Sequence, residues 1–78
     1  MNIEALNAAI AQEFEIDVQD ITPDACIRDT LELDSLSLLD LVAVVGKVTG
    51  IPVKGMEVKE IPTFGALYRF LEAQEKAA

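Results

Sequence analysis

Histidine and tryptophan are absent from the chain, and cysteine and tyrosine occur once each. Without histidine, the usual general base and most zinc sites are excluded. Cys26 alone cannot close an internal disulfide, and with no Cys/His cluster no metal site is expected. Its one basic neighbour in sequence is Arg28, so it reads as a small buried hydrophobe rather than a reactive thiol. No apolar run approaches the roughly 18 residues that a membrane span needs. Met1-Asn2-Ile3-Glu4 lacks the basic region and long apolar stretch of a secretory signal. The expected compartment is therefore the cytoplasm.

Positive charge is also scarce: six Lys and Arg stand against fourteen Asp and Glu, for a net charge of −8. The excess is concentrated. Residues 13–40 hold nine carboxylates against Arg28 alone, whereas residues 41–78 carry five cations and four glutamates. Such a field repels nucleic acid. It attracts a basic protein surface, or else it marks only a solvated loop.

Seventy-eight residues make one small domain, 1–78, with a stability on the order of a few kcal/mol. Residues 2–14 read as an amphipathic helix, with Ile3, Leu6, Ile10 and Phe14 at three- and four-residue spacing and Asn2 as the cap. Residues 15–33 read as a long connection, pinned to the core by Ile16, Val18, Ile21, Cys26, Ile27, Leu31 and Leu33, with a turn at Thr22-Pro23-Asp24. A second helix over 35–48 carries an inward stripe of Leu38, Leu41, Val42, Val45 and Val48, stopped by Thr49-Gly50. Residues 51–62 leave room for one short helical turn at 55–60. Thr63 then caps a last helix with Phe64, Leu67, Tyr68 and Leu71 inward, weakened by Gly65 and fraying at Lys76-Ala77-Ala78. The expected fold is an all-α, small four-helix bundle, with three main helices, one short one and a long first loop.

The most informative stretch is Leu33-Asp34-Ser35-Leu36, where an acidic and a hydroxyl residue run into an apolar helical pattern. Ser35 is expected at the helix N-terminus near solvent. It is there either as a cap or as a hydroxyl that another enzyme modifies. A group attached there would meet the positive end of the helix dipole and free N–H groups. With no base to activate it, Ser35 is a poor nucleophile of its own, and the chain is not expected to be an enzyme; no catalytic residue is assigned. Ser37 is the competing hydroxyl, roughly 200° further round the helix.

Taken together, these features resemble the acyl carrier protein family. Asp34-Ser35-Leu36 opens the second of three main helices, an acidic loop contains Ile21-Thr22-Pro23-Asp24-Ala25, and Ile61-Pro62-Thr63-Phe64 leads into the last helix. The resemblance implies a covalent 4′-phosphopantetheine on Ser35, transferred from coenzyme A by a holo-acyl-carrier-protein synthase using Mg²⁺. It implies a thiol that holds an acyl chain as a thioester, an interior that admits the chain, and acyl-loading and acyl-transferring enzymes as partners of a monomeric carrier.

One departure from the family is visible. Its members in ordinary fatty-acid synthesis have an acidic second helix, but here Asp40 is the only carboxylate between Ser35 and Gly50. Leu36, Leu39 and Ala43 take the outward face, with Asp40 and Lys47 beside them. Partners are expected to meet Asp34, Leu36, Leu39, Asp40 and Ala43 through an apolar patch, with steering from the loop. This indicates a specialised member, serving fatty-acid, lipid or polyketide-type biosynthesis. The alternatives are that this face packs against the long loop, that the cargo is an amino acid or peptide, or that the chain is an unmodified acidic interaction module.

Overall fold

The structure, a computed structural model, describes residues 1–77. Its fold is the expected all-α bundle. Helix α1 spans Ile3–Phe14 and starts where the Asn2 side chain accepts the Ala5 N–H at 3.0 Å. It stops at Glu15, whose left-handed backbone (φ 56°) turns both its own N–H and that of Ile16 onto the Ala11 carbonyl. Helix α3, Ser35–Thr49, packs chiefly against α1. Its last turn closes through the Thr49 hydroxyl, which donates to the Val45 carbonyl at 2.7 Å and accepts the Ile51 N–H at 3.1 Å. Gly50 supplies the left-handed stop at φ 71°, a conformation other residues adopt only with strain. Helix α5, Phe64–Ala77, is capped by the Thr63 hydroxyl on the Ala66 N–H.

The core forms where the three apolar stripes meet. Leu6, Ile10, Leu41, Val45, Phe64, Leu67 and Leu71 are fully buried, and Tyr68 is nearly so. Tyr68 donates its hydroxyl to Asn7 Oδ1 at 2.5 Å, which fastens α5 to α1 without leaving a buried polar atom unpaired. All four inward residues expected on α5 are buried, and Arg69, Glu72, Glu75 and Lys76 face solvent. The helix runs on through Ala77, where fraying was expected, and Ala78 lies outside the described residues.

The long connection is more ordered than its irregular spacing suggests. It holds a 3-10 turn at Val18–Asp20 and a short helix α2 at Ile27–Leu31; the turn expected at 55–60 is helix α4, Gly55–Lys59. Ile21, Ile27 and Leu31 are buried, and Ile16, Cys26 and Leu33 are half-buried. Val18 is an exception to the expectation: the 3-10 turn points it outward, and it is 45% exposed. Val48, expected on the inward stripe of α3, lies at the edge of the interface at 37% exposure.

Backbone bonds tie this connection to the start of α5. Ile27 N–H donates to the Pro62 carbonyl at 3.0 Å, Phe64 N–H to Ala25 at 3.3 Å and Gly65 N–H to Pro23 at 2.9 Å, around an isolated bridge between Cys26 and Thr63. Gly65 therefore has a packing role. A Cβ there would stand 3.0 Å from the Pro23 carbonyl oxygen, so its absence lets the loop approach.

Candidate functional site

The loop and α2 deliver the chain to Asp34 through a second left-handed residue, Glu32 at φ 50°. Asp34, not Ser35, is the N-cap of α3. Its Oδ1 accepts the Leu36 N–H at 3.0 Å and the Ser37 N–H at 2.8 Å. The Ser37 N–H, then the Ser37 hydroxyl and the Leu36 N–H, hold the Asp34 carboxyl below the usual carboxylate range. Capping is thus assigned to its neighbour, and Ser35 occupies the first helical position with its side chain exposed. Ser37 is half-buried.

This arrangement corrects one expectation. A group on Ser35 would sit at the positive end of a fifteen-residue helix, but two of the first N–H groups there are already taken by Asp34. The dipole remains available to it, and two of the four direct donors do not.

Beside Ser35 a cleft of about 580 Å³ opens between α2, the start of α3 and α4. Ile27, Leu33, Leu38, Val58 and Ile61 give it an apolar wall, and Cys26 and Pro62 close it on the α5 side. Asp34, Arg28, Lys59 and Glu60 stand at the same opening. An exposed hydroxyl next to an open apolar cleft suits a group whose phosphate must stay wet while its cargo seeks cover. The sequence did not point to this cleft, because its walls come from three separated segments.

The outward face of α3 does not pack against the long loop. Leu36 is 75% and Leu39 63% exposed, and Asp40, Ala43 and Lys47 are also exposed. Met56 in α4 adds another open side chain, at 81%. Among the described residues no group of three or more His, Cys, Asp or Glu is placed to hold a metal ion, and no helix is long and apolar enough to cross a membrane.

Comparison with known proteins bears on this site. The family profile described as the phosphopantetheine attachment site matches residues 4–71. The chain is 32% identical over 63 residues to acyl carrier protein 2 of Ralstonia nicotianae, covering 81% of this chain and 78% of that protein. It is 33% identical over 67 residues to an acyl carrier protein of Treponema denticola, covering 86% of each.

Proposed function

The chain belongs to the acyl carrier protein family, whose members bear a covalent 4′-phosphopantetheine, and from that premise we propose that Ser35 Oγ is the attachment point and that residues 1–78 act as a single carrier domain. The carrying observation is the position of Ser35: first residue of α3, exposed, relieved of capping by Asp34, and on the rim of the apolar cleft. A holo-acyl-carrier-protein synthase brings coenzyme A to this hydroxyl. The oxygen loses its proton as it forms a phosphodiester, and the adenosine bisphosphate half of coenzyme A leaves. When bound, the group supplies a thiol that takes an acyl chain as a thioester. The chain's own residues do the rest. Asp34 fixes the first turn of α3, so that Ser35 is held outward. Ile27, Leu33, Leu38, Val58 and Ile61 offer the cargo an apolar wall.

Acyl-loading and acyl-transferring enzymes are the partners. Their docking is proposed to use Leu36, Leu39 and Ala43 with Asp34 and Asp40, steered by the carboxylates of residues 13–40. The lack of an acidic α3 supports service in a specialised lipid or polyketide-type route, as a monomer in the cytoplasm where coenzyme A is at hand. Mass spectrometry tests the attachment: coexpression with a broad phosphopantetheinyl transferase adds about 340 Da, and Ser35→Ala abolishes the gain. A gain retained by Ser35→Ala, or none in the native chain, refutes it. The latter result would favour an acidic interaction module.

A further inference from the structure

The cleft's opening carries an electrostatic arrangement unlike the rest of the surface around it. Arg28 is the only cation among residues 13–40, and it lines the cleft with Lys59, the last residue of α4. The one ion pair among the described residues joins the N-terminal ammonium to Glu75 at 3.5 Å. Arg28 and Lys59 therefore reach the opening without a carboxylate partner. The carboxylates there are Asp34 and Glu60. The charge of Asp34 is directed at the Leu36 and Ser37 N–H groups. The four charges sum to zero, although two of them, Arg28 and Asp34, belong to the segment 13–40, whose other eight carboxylates have no further cation among them.

A phosphodiester on Ser35 brings one more negative charge to this place. Two of the four N-terminal donors of α3 that would ordinarily receive it, the Leu36 and Ser37 N–H groups, are occupied by Asp34. The unpaired cations at the same opening carry full positive charges, where the helix end offers only a partial one. We propose that Arg28 and Lys59 are positioning residues that receive the Ser35 phosphodiester and so turn the arm over the cleft, directing its cargo against Leu33, Leu38, Val58 and Ile61. This rests on Ser35 being the attachment point. The guanidinium offers a fork to two phosphate oxygens, and the ammonium acts as a point charge. Both side chains are exposed, so the hold is salt-sensitive and easily released to a partner.

The test loads the full-length chain through a transferase with a pantetheine arm bearing a neutral, environment-sensitive fluorophore. Because the cargo is neutral, any role for the two cations reports on the phosphodiester and not on a charged cargo. Native protein is expected to show blue-shifted emission. R28Q/K59Q should lose at least half of that shift. The charge-matched K47Q/K54Q, whose residues do not line the cleft, and the conservative R28K/K59R should retain it. Raising salt to about 1 M, where the screening length is roughly 3 Å, should bring native protein toward R28Q/K59Q. The mass gain is recorded for each sample. Loaded R28Q/K59Q with undiminished blue shift, or equal loss in K47Q/K54Q, overturns the cation clamp and leaves Ser35 as the attachment point. Native protein that loads without any blue shift does the same. Failure of the native chain to load overturns both.

Discussion

Replacing Leu36 and Leu39 together by alanine should separate docking from folding. Full burial of a leucine is worth about 2 kcal/mol. Leu36 is 75% and Leu39 63% exposed, so closing a partner over them gains about 1.5 and 1.3 kcal/mol. Losing both should lower kcat/KM for a phosphopantetheinyl transferase docking on this face by roughly 100-fold, at 1.4 kcal/mol per decade. The parts of the two side chains already buried account for about 1.2 kcal/mol of folding stability, less a few tenths returned by alanine's helix propensity. For a chain this short that lowers the melting temperature by roughly 4–8 °C. Leu41→Ala is the mirror case: with Leu41 fully buried, it should cost about 2–5 kcal/mol of stability, with the docking face intact. The assay is transferase kinetics at subsaturating carrier, at low and high salt, on protein checked for folding by circular dichroism. Salt should slow native protein and L36A/L39A by the same factor, because the proposed steering comes from the acidic loop and not from the two leucines. A double variant within about threefold of native would refute the reasoning.

Gly50→Ala should cost about 1 kcal/mol in thermal or urea unfolding, all of it backbone strain, since φ is 71° and nothing lies within 4 Å of a Cβ there. Asp34 titrates below its ordinary 3.8 in the fold, so its contribution is fully present above that pH and is lost as pH falls through the lower folded value. Asp34→Asn, which keeps an acceptor but not the charge, should flatten the acid limb of the stability curve; superimposable limbs would contradict the capping role. Tyr68 is pushed above its ordinary 10.0 chiefly by burial of its phenol. Its stabilising contribution is complete below pH 10.0 and declines as pH rises toward the folded value, so Tyr68→Phe should remove part of the alkaline unfolding slope seen by circular dichroism.

The long helices were legible because burial repeats along them. Phe64, Leu67, Tyr68 and Leu71 fall at three- and four-residue spacing, and all are buried. Helix α2 was not, for a physical reason. Five residues give one i,i+4 pair, Ile27 and Leu31, and its N-cap Cys26 offers no side-chain bond. What holds it is tertiary: the Ile27 N–H on Pro62 and the bridge to Thr63, 37 residues away in sequence. Gly65 misled in the same way. Locally it weakens a helix, while its reason, the Pro23 carbonyl against its backbone, lies in another segment. At the site, the residue types at 34 and 35 announced a helix start. Which of them caps was decided only by backbone geometry, with Asp34 extended and Ser35 already helical.

That order has a consequence for how partners are chosen. Asp34 uses the Leu36 and Ser37 donors, so the helix end has two fewer N–H groups, and only its partial charge, to set against a phosphodiester on Ser35. With the attachment proposed at Ser35, the site stays negative, inside a segment with nine carboxylates. Such a field speeds the approach of any basic surface and separates them poorly, because long-range attraction depends on net charge more than on shape. Discrimination must then come from contacts that act only at close range. The residues that can supply it stand directly after Ser35, where Leu36, Leu39 and Ala43 face solvent. A partner built to salt-bridge an acidic helix would have to desolvate its own cations against leucine, without a counter-charge to replace the water. On the docking proposed here, the apolar face works by rejection as much as by attraction, and it does so beside the proposed attachment hydroxyl of Ser35.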